Sequence, residues 1–384
     1  MRNISHIVLF ILVMGCKEKY ESPVESPVTG YLVVEGTINS GKGNTSIRLT
    51  RTTKLNNKTI IFEKNAQVKV EGQNNVSYNL LEKTTGNYSA DNLNLSNTQK
   101  YRLRIKTSTG KEYLSDFVEV KKNPPIDTIS YKRENDGGLQ LYIETHDDQN
   151  KTLYYQWEYT ETWEFHSAHN STLKYKYKNN RQDGVIYYDP IFHSYDTTIV
   201  KCWQTNSSTS LQLGSTLKLS KDVVYLPFLT IPPKSWKLSF LYSVIAKQYT
   251  WTKEGYEFLE KMKKNTEITG SVFDPQPSEL KGNIHNVADP LEPVIGFVNI
   301  CNIEEKRIWI SISQIPDWGY SMNCLTIEVE NDKDSIDSKA SDKLPVVPIK
   351  ENPMTGSIIT FSAAPRDCVD CTLRGTNKKP VFWP

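Results

Sequence analysis

The stretch Tyr101-Arg102-Leu103-Arg104-Ile105-Lys106 alternates apolar with basic side chains at every position. A two-residue period places one face of an extended strand in a core and the other in water, as in antiparallel sheets. The same alternation occurs over residues 46–50 and 66–71. Two further stretches, 31–37 and 113–120, complete a series of short strands separated by turn-forming clusters. This pattern predicts an immunoglobulin-like β-sandwich over residues 29–122.

The run Lys121-Lys122-Asn123-Pro124-Pro125 ends that series. Its proline pair lacks backbone donors and favours an extended chain, which is typical of a domain joint. Alternation resumes at 139–143 and 153–159, whereas residues 165–220 show little periodicity and are rich in Asn, Ser, Thr and Tyr. We therefore expect a mainly β protein of two tandem immunoglobulin-like or fibronectin-like sandwiches. The second, at 123–384, is enlarged with long loops.

One amphipathic helix is predicted near residues 252–265. Thr252 is placed to cap it, and Tyr256, Leu259 and Met262 share one face at helical spacing. We expect this face to pack on the sheet. Strands return at 308–312, 325–329 and 357–361, and the charged run at 331–342 is interpreted as a surface loop.

The N-terminus carries the signature of an exported, lipidated protein. Arg2 precedes an apolar run at 7–14, which is shorter than the roughly 20 residues that span a bilayer but fits a secretory signal. The run ends in Val13-Met14-Gly15-Cys16, which resembles a bacterial lipobox. We expect residues 1–15 to be the signal peptide and Cys16 to take a diacylglycerol. Acyl chains contribute about 0.8 kcal/mol per buried methylene, so two or three would hold the protein on a membrane.

Residues 16–28 are polar and carry two prolines, so they are interpreted as a flexible tether. The charged start Lys17-Glu18-Lys19-Tyr20-Glu21 resembles a surface-export signal; a solvated linker is the alternative. Composition limits the partners: Lys+Arg number 46 against 44 Asp+Glu, giving a net charge of +2. This near balance argues against a nucleic-acid partner.

Five cysteines remain after Cys16. Disulfides are expected in an exported protein, and five thiols form at most two bridges. Cys368 and Cys371 form a C-x-x-C pair, which also suits half a zinc site or a redox pair, but no second C-x-x-C is present. We favour Cys202 and Cys324 as the partners of this pair, with the connectivity left open and Cys301 left over.

No catalytic motif is found. His166 and His169 form an H-x-x-H, whereas zinc peptidases need H-E-x-x-H on a helix. The run His146-Asp147-Asp148 suits either a cation or, more simply, a solvated hairpin turn. The sequence lacks G-x-S-x-G and the glycine-rich phosphate and dinucleotide loops, so no enzyme activity, metal or cofactor is predicted. A hydrolase with paired carboxylates would leave no local signature.

Several further motifs resemble a Bacteroidota lipoprotein family known as domain of unknown function 4249. They are Tyr31-Leu32-Val33-Val34-Glu35-Gly36, Pro124-Pro125-Ile126-Asp127-Thr128, Cys202-Trp203, Lys247-Gln248-Tyr249, Gly270-Ser271-Val272-Phe273-Asp274-Pro275-Gln276-Pro277, Gly282-Asn283-Ile284, and the tail Cys368-Val369-Asp370-Cys371-Thr372-Leu373-Arg374-Gly375 with Val381-Phe382-Trp383. The resemblance implies an outer-membrane lipoprotein, commonly encoded beside a TonB-dependent transporter. It implies no established enzymatic activity.

Three functions are weighed. The leading hypothesis is a non-enzymatic, surface-exposed accessory or substrate-capture partner of a TonB-dependent transporter. Tyr175, Tyr177, Tyr187 and Tyr188 could then stack on a glycan or peptide, or be buried in the second domain. A surface glycan or peptide hydrolase, favoured by a pocket that gathers His166, His169 and acidic neighbours, is the second. A purely adhesive or structural surface protein is the third.

Overall fold

The computed structural model describes residues 30–54, 59–267 and 280–384. The predicted signal peptide, Cys16 and the tether at 16–28 lie outside the described residues. The fold is mainly β with few helices, which confirms the predicted class. The first strands in chain order are β1 (Leu32–Glu35), β2 (Thr37–Asn39), β3 (Asn44–Arg51), β4 (Ile61–Phe62), β5 (Gln67–Gly72), β6 (Ser77–Thr84), β7 (Asn87–Asp91), β8 (Lys100–Lys106), β9 (Glu112–Ser115) and β10 (Val118–Glu119).

The remaining elements follow in chain order. The strands are β11 (Ile126–Arg133), β12 (Leu139–His146), β13 (Tyr154–His166), β14 (Leu173–Lys178), β15 (Arg181–Tyr187), β16 (Lys201–Ser207), β17 (Gln212–Ser215), β18 (Val223–Ile231), β19 (Leu241–Thr250), β20 (Ile284–Asn286), β21 (Asn299–Cys301), β22 (Glu304–Ser311), β23 (Ile327–Glu330), β24 (Lys343–Glu351) and β25 (Ile358–Pro365). The α-helices are α1 (Lys253–Glu267), α2 (Lys333–Lys339) and α3 (Arg366–Val369).

The first core forms as the alternation of β8 predicts. Tyr101, Leu103 and Ile105 are buried, while Arg102 and Arg104 turn outward and both pair with Glu71 on β5. Ten strands form one sheet in the order β1-β3-β7-β6-β5-β8-β9-β20, with β4 on β3 and β10 on β8. The two halves of this sheet meet at β6 and enclose a single hydrophobic core.

We call the part built on strands β1 to β10 the first unit. Two more of its strands come from the later part of the chain. β20 pairs with β9, and β21 pairs in parallel with β2, placing Ile284 and Ile300 in the first core. The predicted boundary at residue 122 remains a prediction. The structure adds that residues 284–301, assigned by the sequence to the second domain, pack on the first.

Two sheets enclose the second core. One has the order β11-β12-β18, and the other β16-β13-β19-β22 with β17 on β13. Their apolar side chains, including Ile143 from the first sheet and Trp157, Trp163 and Tyr242 from the second, are fully or almost fully buried in one cluster. This is the β-sandwich predicted after the proline joint.

A small α+β unit lies beyond this sandwich. The β14–β15 hairpin, the β23-β25-β24 sheet and α2 share a core that includes Tyr175, Ile336 and Phe361. The prediction of a charged loop at 331–342 is wrong, because α2 occupies most of it. Asp332 caps this helix by accepting from the amides of Asp334 and Ser335, and Ile336 turns fully inward.

The prediction of α1 is confirmed to within two residues. Thr252 Oγ1 accepts from the Gly255 amide at 3.2 Å, and Tyr256 and Leu259 are buried against Tyr249 and Trp251. Lys253, Glu257, Lys261 and Lys264 are exposed, as the spacing predicts. Within the described ranges, no helix has both the length and the apolar character needed to cross a membrane.

Two disulfides fasten the C-terminal segment, which confirms the prediction of two bridges. Cys202 on β16 is bonded to Cys371, and Cys324 to Cys368, each with a Cα–Cα distance of 5.8 Å. The members of the C-x-x-C pair therefore bond to separate partners, not to each other. Among the described cysteines, Cys301 is the one with a free thiol; it is fully buried, and burial raises its pKa to about 12.

Candidate functional site

A cavity of about 710 Å³ separates the first unit from the second sandwich. We call it the central cleft. One wall is formed by the segment from β1 to β3, the opposite wall by β13, β19 and β22, and one side by α1. Its principal side chains are Glu35, Lys42, Glu158, Lys247, Tyr249, Trp251, Phe258, Leu259, Met262, Phe297, Ile303 and Glu305.

The aromatic lining follows from the end of β19. Tyr249 and Trp251 are two residues apart, so they lie on the same side of the extended chain as it enters α1. The helix then adds Phe258 and Leu259 from its buried face. Gly255 permits this packing, because a Cβ there would lie 2.7 Å from the Trp251 ring and 2.9 Å from Phe297.

Gln248, which lies between Lys247 and Tyr249 on β19, anchors this wall of the cleft to the domain joint. Gln248 is fully buried, and its amide donates to Asn123 Oδ1 at 2.9 Å and to the Pro124 carbonyl at 2.8 Å. Its oxygen accepts from Trp157 Nε1 at 2.8 Å. Gln248 thus ties the second sandwich to the linker, while its neighbours Lys247 and Tyr249 line the cleft.

Charged side chains at the rim of the cleft form ion pairs and hydrogen bonds with one another and with Tyr249. Lys247 Nζ lies 2.9 Å from Glu305 Oε1, and the Tyr249 hydroxyl donates to Glu158 Oε2 at 2.9 Å. Burial, reinforced by the Glu158 carboxylate, raises the pKa of Tyr249 far above its ordinary value, so it remains a neutral donor. The cleft therefore combines an apolar, aromatic interior with a polar mouth, a combination suited to holding a small ligand.

The four predicted binding tyrosines lie elsewhere, in the small α+β unit. Tyr175 is buried, and its hydroxyl donates to the carbonyls of Ala340 and Lys343, so it is a packing residue. Tyr177 and Tyr188 are 63% and 39% exposed. Tyr187 stacks on His193 with ring centroids 3.6 Å apart. None of the four lines the central cleft.

Sequence reasoning missed the cleft itself. Its walls come from stretches of chain near residues 33–46, 156–158, 247–262 and 295–305, which lie apart in the sequence, and a local pattern does not reveal such a meeting. Two signals pointed toward it: the Lys247-Gln248-Tyr249 motif and the apolar face of α1.

The two histidines of the H-x-x-H motif line a second hollow, with Phe240 and Lys201. β13 ends at His166, so the motif lies on a strand end and a bend and not on a helix. His166 Nε2 is 3.0 Å from Glu164 Oε1, and His169 Nε2 is 2.8 Å from the Cys324 carbonyl. Across the described part of the chain, no three His, Cys, Asp or Glu side chains gather to hold a metal.

The run at 146–148 leads into a turn, but the predicted hairpin is wrong, because the strands that this turn connects, β12 and β13, belong to different sheets. The Asp147 carboxylate accepts from the amides of Gln149, Lys151 and Thr152, which outweigh its partial burial and lower its pKa. His146 Nδ1 lies 2.6 Å from Asp127 Oδ2, and this hydrogen bond raises the pKa of the imidazole. Asp147 and Asp127 therefore both have hydrogen-bond partners within the protein.

Comparison with solved structures gives only distant likenesses. A cytokine receptor complex aligns at 8% identity over 56% of this chain and 89% of its own, with a TM-score of 0.18. The FN1–FN3 domains of chicken CNTN1 align at 10% identity over 57% of this chain and 62% of their own, with a TM-score of 0.19. No curated protein matches the sequence significantly.

A family model does match, and it covers residues 17–307. The matched region contains the first unit, both walls of the central cleft and α1. The chain belongs to the family described as "Domain of unknown function (DUF4249)".

Proposed function

We propose that this protein is a non-enzymatic lipoprotein of the outer membrane that captures a substrate for a TonB-dependent transporter. In this proposal, Cys16 carries the lipid anchor, residues 16–28 form the tether, and the described body faces the cell exterior. The lipobox-like run before Cys16 and the charged residues after it support the placement.

The observation that carries the capture role is the central cleft. Its volume of about 710 Å³ lies within the range of small-ligand sites, roughly 300–1,000 Å³. Aromatic rings such as Trp251 and Phe258 offer flat apolar contact area, and the hydroxyl of Tyr249 offers a fixed polar group. These features favour retention of a ligand, which suits a protein that hands its cargo to a neighbour.

The position of the cleft also supports the proposal. It lies between two β units held together at a buried joint around Gln248. Binding sites occur preferentially at such junctions, where each unit supplies one wall. A ligand bound there contacts both units at once.

Co-purification from native membranes tests the partnership. The full-length protein is extracted in mild detergent, captured with an antibody, and its partners are identified by mass spectrometry. We expect a TonB-dependent transporter to be recovered in comparable amount. The variant Trp251→Ala serves as a matched control, because it alters the cleft and leaves the anchor intact; it should still recover the transporter while losing substrate. Repeated recovery of the wild-type protein without any transporter would contradict the proposal.

A further inference from the structure

The hollow that contains His166 and His169 is separate from the central cleft. It has a volume of about 790 Å³ and shares no lining residue with the cleft. Beside the two histidines it is lined by Asn170, Tyr195 and Phe240. Two imidazoles in one hollow are unexplained by the proposed capture role.

Each imidazole is fixed by an acceptor at the same ring nitrogen. Nε2 of His166 faces the Glu164 carboxylate at 3.0 Å, and Nε2 of His169 faces the Cys324 carbonyl at 2.8 Å. A carboxylate and a carbonyl only accept hydrogen bonds, so each Nε2 donates its hydrogen. In a neutral imidazole this leaves Nδ1 with its lone pair.

Both acceptors are themselves firmly held. Glu164 is buried and also receives Lys201 Nζ at 2.9 Å and Trp383 Nε1 at 3.0 Å. Cys324 is fixed by its disulfide to Cys368.

The backbone brings the two rings to the same hollow. After β13 the chain bends, and the amides of Ala168 and His169 both donate to the Cys368 carbonyl, at 2.8 and 3.1 Å. The His166 ring is also stacked on Phe240, with centroids 3.7 Å apart. The disulfide, the bend and the stacking therefore set both rings in place.

We propose that His166 and His169 bind a divalent transition-metal ion through their Nδ1 atoms, with Cu²⁺ the preferred ion. Metal-binding imidazoles almost always donate their other ring N–H to a carboxylate or a backbone carbonyl, and both arrangements occur here. Nitrogen ligands suit copper and zinc, and copper binds most tightly in the divalent series. The protein supplies two ligands, and water completes the coordination.

Electron paramagnetic resonance of the full-length protein in detergent with one equivalent of Cu²⁺ tests this site directly. We expect hyperfine coupling to two imidazole nitrogens. Calorimetry should give one site, with affinity reduced at least about tenfold in His169→Ala and about tenfold in Glu164→Gln, which removes the carboxylate that supports His166 but keeps both imidazoles.

The control is His285→Ala, which removes an exposed histidine of β20 outside the hollow and should leave the affinity unchanged. Circular dichroism verifies that each variant is folded. A wild-type spectrum without two-nitrogen coupling would overturn the assignment even if a variant failed to fold. Equal affinity in folded His166→Ala/His169→Ala and wild-type protein would also overturn it.

Discussion

Replacing Gln248 by Met should loosen the joint between the β units. Methionine nearly preserves the side-chain volume but removes every hydrogen bond that the amide makes. Trp157 Nε1, fully buried, loses its acceptor at 2.8 Å, and the Pro124 carbonyl loses its donor at 2.8 Å. Each orphaned buried group costs about 1–3 kcal/mol, so we expect the free energy of unfolding to fall by about 4 kcal/mol.

Equilibrium unfolding in urea, followed by both tryptophan fluorescence and circular dichroism, measures this loss. The matched control is Gln149→Met, since Gln149 is exposed in the turn between β12 and β13; it should change stability by less than about 0.5 kcal/mol. A loss of less than about 1 kcal/mol in Gln248→Met would refute the reasoning. The joint would then be held by packing alone.

Three further changes have defined outcomes. Removing the Cys202–Cys371 bridge by double substitution to alanine should cost about 2–5 kcal/mol by thermal or urea unfolding, because it releases a link between residues 169 positions apart; an unchanged midpoint would contradict this. Cys301 should resist alkylation in native protein and react after unfolding, as mass spectrometry will show; rapid labelling of folded protein would contradict its burial. Asp332→Ala should cost about 1 kcal/mol by removing the cap of α2, whereas no loss of stability would mean that the cap contributes nothing.

Acid stability depends on Glu164. Burial alone would raise its pKa, but hydrogen bonds from Lys201, His166 and Trp383 hold the pKa below its ordinary value. The unfolded state therefore binds its proton first as the pH falls, near an unfolded pKa of about 4.3. The stability advantage of wild type over Glu164→Gln should be constant from pH 7 to about pH 5 and shrink below that. Urea midpoints across this range measure it, and an advantage that grows in acid would contradict the sign.

Local patterns predicted the elements that depend on local chemistry. The alternation in β8 was sufficient to predict that strand, and the cap and apolar face of α1 were sufficient to predict that helix. In each case the local sequence determines which face is buried. Helix α2 was missed because charged residues surround Ile336, and only this residue and Ala340 mark its inner face. Parallel pairing of β2 with β21 joins Thr37 to Asn299, and strands of three residues carry no period that would reveal it.

The candidate site was less accessible to sequence analysis than the fold. The motif Lys247-Gln248-Tyr249 drew attention to the right segment, but only the structure shows that its three residues have different roles. Gln248 faces the joint, whereas its two neighbours face the cleft. The exposed tyrosines drew attention by composition, yet the aromatic cleft is built from α1 and residues beside it.

The anchor at Cys16 is the claim on which the proposed role depends most. Its direct test is to express full-length wild-type protein and Cys16→Ser in the native host, label both with a radioactive fatty acid, and separate membrane from soluble fractions. We predict that wild type incorporates the label and sediments with the outer membrane, while Cys16→Ser is unlabelled and either retains its signal peptide or leaves that fraction. Identical labelling, processing and sedimentation of the two proteins would contradict the account.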